Sequence, residues 1–396
     1  MSVSSTASLA HQVARVAGHR IAESVRPGRL AAPGTVPIGI DNITTDWLTS
    51  ALCSSTPGAQ VRGFTVSEGS AGTSARHPVT VEYNSVGADA GLPTELFTKT
   101  TPDMKTRLFT GLSDLFVGEC NFYNLIRPRL TTEAPFGYHC DYDRGSCRSI
   151  VVMEDIARTR GAQFGSPQTL HIDRSRALDM ASTMASYHSA FWDLDLDSEF
   201  NWLRTNSEWQ RHLDSIINTE AMVRRGIKRA HDVLPRHLLR RADTIWPAFV
   251  SSLDLKVRGP VTLLHHDVHS KNWYVNAEGK MGLFDWQTIA AGTWAIDFSY
   301  AINCGLAIDD RREWLPEILD HYLDSLSGVS RAPAPAEARL LYRQQSIHGL
   351  IFWLATIGAG RFQPDLHDEK DCLINIERLA SAVDDEDTLD ALLNLR

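Results

Sequence analysis

The amino-acid sequence predicts an α+β fold in which a small β-rich part precedes a large, mainly helical part. At 396 residues the chain is long enough for two domains or lobes. Apolar and β-branched runs typical of strands fill its first part, whereas longer patterns of helical period dominate beyond Gly165. The strand-type runs cover residues 61–66, 79–83, 95–99 and 149–156.

Composition narrows the class of protein. The chain is 43% hydrophobic and can bury a sizeable core, which excludes wholesale disorder. Its formal net charge is -9 and no Lys/Arg cluster stands out, which argues against a nucleic-acid partner. Six cysteines lack metal-ligand spacing, which favours a reduced, cytoplasmic protein. No apolar run reaches the ~18 residues that would cross a membrane, and the oligomeric state stays open.

Residues 1–37 are rich in Ser, Ala and Arg, and Glu23 is their only acid. This composition is that of a transit peptide, but we favour a helical extension on the first lobe or a disordered arm. We expect no contact of the functional site to lie in this segment, so that its removal should leave nucleotide binding within a few-fold.

The β-rich part carries a loop and a charged pair of interest. Thr44 can cap a helix that ends near Cys53. The loop 67–74 contains Gly69, Ser70, Gly72 and Thr73, and such loops can turn backbone N–H groups toward phosphate, although many are ordinary hairpin turns.

Lys99 ends a predicted strand, and Glu119 falls on the apolar stripe of a helix predicted over residues 112–127. A carboxylate on a buried stripe is costly without a cation, so we predict that Lys99 pairs with Glu119.

The strand 149–156 ends in Glu154 and Asp155, where the first lobe would give way to the second. A helix over residues 173–192 follows, with His188 on its apolar face, and we interpret His188 as a satisfied core histidine. Further helices are predicted over residues 207–235, 236–252, 309–326, 335–357 and 368–382.

The stretch from Val261 to Asp297 carries the most specific signal. Trp273 to Val275 and Met281 to Phe284 flank a turn with Gly279 and predict a hairpin. An antiparallel hairpin places Asn272 beside Asp285, two oxygen ligands suited to Mg²⁺.

Asp267 lies five residues before Asn272 on the loop that enters the hairpin. Asp and Asn are common in turns, but His265-x-Asp267-x-x-x-x-Asn272 with a second Asp after a hairpin is the catalytic-loop layout of kinase-type phosphoryl transfer.

The chain resembles the aminoglycoside phosphotransferase and choline kinase superfamily, with the closest likeness to its ecdysteroid kinase-like branch. The resemblance extends from about residue 40 to about residue 300. It rests on residues 96–99 (LFTK), 118–123 (GECNFY), 151–155 (VVMED), 187–192 (YHSAFW), 265–272 (HHDVHSKN), 284–287 (FDWQ) and 297–298 (DF).

This resemblance implies a protein-kinase-like, two-lobed fold. Residues 1–37 would be an N-terminal extension, 38–155 a nucleotide-binding lobe, and 156–396 a helical lobe with the catalytic loop and the acceptor site. Glu154 and Ile156 would lie at the hinge whose backbone binds adenine, and the glycine loop would cover the phosphates.

The resemblance also implies roles for single residues. Lys99 would hold phosphates and Glu119 would orient Lys99. Asp267 would be the catalytic base, and Asn272 and Asp285 the Mg²⁺ ligands. The supports of the catalytic loop would be His265 and Asp297. Relatives commonly have glycine where His266 stands, and an imidazole there could narrow the acceptor site or contact the acceptor.

We therefore expect an ATP- and Mg²⁺-dependent kinase that phosphorylates a hydroxyl group of a small molecule. The alternatives are a non-catalytic nucleotide-binding pseudokinase and a protein kinase. The acceptor stays open between a cationic aminoglycoside or choline and a steroid-like polyol. Candidate residues for its site are Trp286, Trp294, Tyr300, Trp353, Asp365, Asp368 and Glu369.

Overall fold

The computed structural model describes residues 3–25, 32–253, 255, 260–360 and 367–394. Contacts divide the chain into a first unit, Met1–Arg129 with Pro135–Ala162, and a second unit, Leu130–Ala134 with Gln163–Arg396. The first unit holds an antiparallel sheet and the second is mainly helical. The predicted α+β fold class is confirmed.

The sheet of the first unit has six strands in the order β1-β3-β4-β6-β5, with the short β2 paired to β3. All of its pairings are antiparallel. Two strands of this sheet were not predicted. The strand Ser70–Ala71 is only two residues long, and most residues of Gly137–Asp143 are only half buried and lack an apolar alternation. The strands are β1 Val61–Val66, β2 Ser70–Ala71, β3 Ala75–Tyr83, β4 Glu95–Thr100, β5 Gly137–Asp143 and β6 Arg148–Glu154.

Helices of the first unit pack on this sheet and on one another. The predicted cap Thr44 accepts a hydrogen bond from Trp47 N–H, and Trp47 and Leu48 join Leu96 and Val152 in the core. The α-helices are α1 Val3–Val25, α2 Thr45–Leu52, α3 Ser85–Asp89, α4 Met104–Leu112, α5 Leu115–Asn121 and α6 Ile156–Thr159, with a π turn at Phe122–Ile126 and 3₁₀ turns at Ile40–Asn42 and Arg127–Arg129.

The helix predicted over residues 112–127 is observed with a later start. Asp114 adopts a left-handed conformation with φ 56°, which separates α5 from α4. Helix α5 then widens into the π turn directly after Asn121, and α4 itself was not predicted.

The second unit combines eleven described α-helices with short strands. The helices are α7 Arg174–Ala190, α8 Asn206–Ile216, α9 Thr219–Arg229, α10 Arg236–Arg240, α11 Ala242–Leu253, α12 Ala295–Gly305, α13 Ile308–Ser325, α14 Pro335–Gln345, α15 Ile347–Ile357, α16 Glu369–Asp385 and α17 Thr388–Leu393. The strands are β7 Gln163–Phe164, β8 Thr262–Leu264, β9 Trp273–Val275, β10 Met281–Leu283 and β11 Ala290–Gly292, and 3₁₀ turns lie at His231–Val233, Ser270–Asn272 and Trp286–Thr288.

Three helices predicted as continuous are each divided in two. Residues 207–235 break before Asn218, whose side chain accepts from Ala221 N–H and so starts a new helix. Residues 335–357 break at Ser346, whose hydroxyl donates to the Tyr342 carbonyl oxygen and competes with the helical pattern. Residues 236–252 break at Arg241.

None of the described helices combines the length and the apolar character needed to cross a bilayer. All six cysteines are buried and free of disulfides.

Candidate active site

The first unit brings Lys99 and Glu119 together. Lys99 is the penultimate residue of β4 and Glu119 lies on α5, and the Lys99 Nζ atom is 2.5 Å from Glu119 Oε1. Both residues are almost completely buried, at 5% and 6% exposure. The two opposite charges compensate each other in the interior, and removal of either would leave the other uncompensated. Each side chain therefore holds the other in place.

The glycine loop forms a tight hairpin in which β2 pairs with the start of β3. Gly69 packs so closely on β3 that a Cβ would lie 2.3 Å from the Arg76 carbonyl oxygen. The requirement for glycine at this position thus has a packing reason. Ser70 and Gly72 are exposed and Thr73 is partly exposed at the surface of the first unit.

The two predicted hinge residues lie at the end of β6 and the start of α6. The carboxylate of Glu154 accepts from Arg160 Nη2 at 2.6 Å and from Thr159 Oγ1 at 2.7 Å. Its backbone N–H donates to the Phe136 carbonyl oxygen at 2.8 Å. The carbonyl oxygen of Ile156 accepts from the backbone N–H of Arg160 at 3.1 Å. The side chain of Glu154 therefore links the end of β6 to the end of α6.

In the second unit β9 and β10 form the predicted antiparallel hairpin. Trp273 pairs with Leu283, and the N–H of Phe284 donates to the Asn272 carbonyl oxygen at 3.1 Å. Asn272 consequently enters the hairpin beside the residue that leaves it, Asp285. Asp285 has φ 66°, a left-handed conformation that Asp tolerates and that turns the chain out of the strand.

Asn272 and Asp285 present oxygen ligands. The amide nitrogen of Asn272 donates to the backbone oxygen of Asp267 at 2.8 Å and to its Oδ2 at 3.3 Å, which leaves the amide oxygen for another partner. Mg²⁺ is commonly held by one or two protein oxygens and completed by phosphates and water, and this pair fits that demand. Within the described ranges, no group of three or more His, Cys, Asp or Glu side chains could hold a metal ion.

Asp267 lies at the edge of this pair, with 26% of its side chain exposed. Burial raises its pKa to about 6 and the charge of Asp285 adds to the rise, while the hydrogen bond from Asn272 opposes it. A carboxylate with this pKa is ionised at neutral pH and well matched to accept a proton.

Asp297, near the start of α12, holds the loop that contains His265 and His266. Its Oδ2 accepts from the Tyr187 hydroxyl and from the N–H of His265, both at 2.7 Å, and its Oδ1 accepts from the N–H of His266 at 2.9 Å. Burial alone would raise the pKa of Asp297, but His188, His265 and Tyr187 more than offset that effect, so the pKa lies below its ordinary value.

His188 lies beneath the loop, completely buried, and its Nδ1 is 2.8 Å from the Tyr322 hydroxyl. Its Nε2 is 3.6 Å from Asp297 Oδ2, and burial lowers its pKa. His188 is therefore a core histidine with a polar partner, as the sequence indicated.

His265 ties the loop to the hairpin. Its Nε2 lies 3.0 Å from the Phe284 carbonyl oxygen, and its Nδ1 accepts from the N–H of Asp267 at 3.3 Å. The ring bridges the residue before Asp285 and the backbone of Asp267.

His266 stands in a conformation that suits glycine, with φ 70°. Its ring is 1% exposed, lies 2.7 Å from Asn206 Oδ1 through Nε2, and packs on Trp209 and His348. The left-handed conformation is one that glycine adopts without strain, and here it places the imidazole in the interior of the second unit.

Several neutral groups surround Asp267. The Tyr300 hydroxyl lies 3.4 Å from Asp267 Oδ1, and His269 Nε2 lies 3.6 Å from the same atom. His269 packs on Trp353 and His367, with ring centroids 5.4 Å and 5.1 Å away. Burial lowers the pKa of His269 to about 3 and that of His367 to about 4, so both rings are neutral at neutral pH.

The other acceptor candidates lie elsewhere or have other partners. Trp286 is fully buried and its indole N–H donates to the Leu283 carbonyl oxygen, while Trp294 stacks on Tyr322 in the core. Asp368 caps α16, and Glu369 begins that helix at the surface. Asp365 lies outside the described residues.

His269 and His367 were not predicted as neighbours of Asp267. His269 follows Asp267 by two residues within the same motif, so its spacing could have revealed it. His367 lies a hundred residues further on, and no local pattern connects it to Asp267.

Comparison with known proteins gives the class of the chain. Residues 118–341 match the model of a family described as the phosphotransferase enzyme family (APH). Because the match spans more than half of the 396 residues, the chain belongs to this family. A comparison with curated protein sequences gave no match.

Solved structures of similar fold include three transferases. The GDP complex of wild-type aminoglycoside 2'-phosphotransferase-IIIa has 11% identity and a TM-score of 0.48, covering 87% of this chain and 99% of that chain. Ethanolamine kinase from Plasmodium vivax has 12% identity and a TM-score of 0.42, covering 81% of each chain. Macrolide 2'-phosphotransferase MphH from Brachybacterium faecium has 11% identity and a TM-score of 0.43, covering 78% of this chain and 92% of that chain.

Proposed function

We propose that the protein transfers the γ-phosphoryl group of ATP to a hydroxyl group of a small molecule with the help of Mg²⁺. The observation that carries this proposal is the arrangement of one hairpin in the second unit. Asn272 uses its amide nitrogen on Asp267, and Asp285 lies beside it across the hairpin. The loop thereby presents a base and two oxygen ligands within a few residues.

In this proposal Asp267 orients the acceptor hydroxyl and accepts its proton as the new bond to the γ-phosphorus forms. The bond between that phosphorus and the bridging oxygen breaks in the same step, and ADP leaves. Asn272 and Asp285 would hold Mg²⁺, which would neutralise charge on the phosphates. Lys99, fixed by Glu119, would bind phosphate oxygens. Catalysis of this kind depends on positioning and electrostatic stabilisation, since a loose phosphoryl transition state requires little covalent help.

Ser70, Gly72 and Thr73 would supply backbone groups to the phosphates, with Gly69 setting the turn, and Glu154 and Ile156 would lie next to the adenine. These assignments draw on the family pattern and on the exposure of the loop.

Two finer statements belong to the proposal. The motifs resemble the ecdysteroid kinase-like branch of the superfamily, and the acceptor stays open between a cationic aminoglycoside or choline and a steroid-like polyol. We also propose that the protein works in the cytoplasm, which agrees with six buried, free cysteines whose thiol pKa values are all raised by burial.

The test separates the two acids of the hairpin. Asp285→Asn should weaken Mg-ATP binding in calorimetry because a metal ligand is lost. Asp267→Asn should keep Mg-ATP affinity near that of the wild type and lose turnover by ~10²–10⁴, the usual contribution of a positioned base. Asp232→Asn, an equivalent substitution at a fully exposed side chain, serves as the matched control and should change neither quantity.

Each other outcome has a distinct meaning. Equal loss of nucleotide binding in both variants would make Asp267 a further metal ligand. Nucleotide binding without ATP consumption over a panel of hydroxylated metabolites would favour a pseudokinase, and a phosphoprotein product would favour a protein kinase.

A further inference from the structure

Helix α1 has one buried face, which contacts the part of the first unit that carries the lysine–glutamate pair. Val16 is completely buried and packs with Phe116, Val117 and Cys147. Phe116 lies on α5 one helical turn before Glu119. Val16 therefore supports the helix that presents Glu119.

A second contact leads from α1 to the strand of Lys99. Glu23 is 6% exposed, and its Oε1 accepts from Arg107 Nη1 at 2.8 Å. Arg107 is fully buried, and its Nε donates to the carbonyl oxygen of Thr101 at 3.0 Å. Thr101 directly follows β4, two residues after Lys99. Glu23 thus fixes the arginine that holds the end of the Lys99 strand.

The Val16 contact supports the helix of Glu119, and the Glu23 contact supports the strand of Lys99. Both contacts therefore act on the same ion pair. Arg107 is a buried cation, and removal of the carboxylate that compensates it would leave an unpaired buried charge. Arg148 adds a weaker contact, with its Nε 3.7 Å from Glu23 Oε1. Helix α1 is thus a helical extension packed on the first unit, and these contacts argue against the prediction that residues 1–37 can be removed with little effect on nucleotide binding.

We infer that α1 positions the Lys99–Glu119 pair, with Val16 acting through α5 and Glu23 acting through Arg107 on β4. This inference rests on the proposed function, since it assigns α1 a part in ATP use. Val16 and Glu23 are positioning residues, because each acts through another residue.

Steady-state kinetics on the full chain test the inference. Glu23→Gln and Val16→Ala should each raise the KM for ATP by about tenfold, which corresponds to about 1.4 kcal/mol. A merely structural role would reduce the fraction of folded enzyme and so lower the apparent kcat, while the KM for ATP stayed unchanged. Glu23→Asp, which keeps the charge, should restore part of the effect.

Two matched controls lie on exposed positions of the same unit. Val25→Ala changes a side chain of α1 that is 72% exposed, and Glu82→Gln changes an exposed carboxylate on β3. Both should keep the KM for ATP within about twofold of the wild type, since substitutions of this kind have small effects.

A double-mutant cycle identifies the route. In a Glu119→Ala background the pair is already broken, so Glu23→Gln should change the KM for ATP by less than about twofold more. The inference is overturned if the effects of Glu23→Gln and Glu119→Ala on the KM for ATP multiply in the double variant. It is also overturned if Glu23→Gln and Val16→Ala both leave the KM unchanged, or if both variants fail to fold. A wild-type protein that neither binds nor consumes ATP would instead refute the proposed function, which keeps the two failures distinct.

Discussion

Substitution of Asp297 by asparagine tests how the loop that contains His265 and His266 is held. The carboxylate accepts three hydrogen bonds, two at Oδ2 and one at Oδ1, in a site with no solvent exposure. Asparagine has nearly the same shape but only one acceptor oxygen. If that oxygen serves Tyr187 and His265, the amide nitrogen faces the N–H of His266, donor against donor.

The expected loss follows from these contacts. One charge-assisted hydrogen bond is removed, at about 1.5–3 kcal/mol, and the buried N–H of His266 is left without an acceptor. The two remaining bonds become neutral and weaken by roughly half. Together these changes should lower the free energy of unfolding by about 3–5 kcal/mol, at the upper end for a single substitution.

Urea unfolding followed by tryptophan fluorescence measures this loss, with an unchanged m value showing that stability alone has changed. Asp232→Asn is the control and should stay within about 0.5 kcal/mol of the wild type, because its side chain is fully exposed. A loss below about 1 kcal/mol together with full turnover would show that the loop does not depend on Asp297.

Three further predictions concern the same elements. Lys99→Met and Glu119→Ala should each weaken productive ATP use, and the double variant should be less impaired than the sum of the single effects, because coupled residues are not additive; additivity in kcat/KM would contradict the pairing. His266→Gly should relieve a left-handed conformation but lose a buried ring, for a net loss of about 1–3 kcal/mol in thermal or urea unfolding; a gain in stability would show that strain outweighs packing. The pKa of Asp297 is lowered in the folded protein, so its stabilisation is present above about pH 4, the unfolded value, and is lost as the pH falls through the folded pKa; the difference in stability between wild type and Asp297→Asn should therefore shrink in acid, and a constant difference down to pH 3 would refute this.

Much of the fold could be predicted because local signals agree with the tertiary structure. Thr44 caps a helix where the sequence placed it, the helix predicted from residue 173 begins at Arg174, and the hairpin after Asn272 has the expected pairing. The breaks at Asn218 and Ser346 were not predicted, because a side chain that hydrogen-bonds the backbone leaves the apolar pattern of a helix unchanged.

The site shows the same division between local and distant information. The motif from His265 to Asn272 is local, and its residues do lie together. The contact between Glu23 and Arg107 joins residues 84 apart, and composition made the first segment resemble a dispensable extension. Trp286 is adjacent to Asp285 in sequence, yet its ring lies in the core, since neighbours in a turn can face opposite directions.

The anchoring of the loop by Asp297 has a consequence for the order of folding. The two loop amides donate to a carboxylate 32 and 31 residues further along, and that carboxylate is also held by a tyrosine 110 residues before it. Such non-local contacts form only after the entropy of closing the intervening chain has been lost. The loop is therefore completed once α7 and α12 have docked, and under the proposed function a nascent or partly folded chain has no ordered base at Asp267.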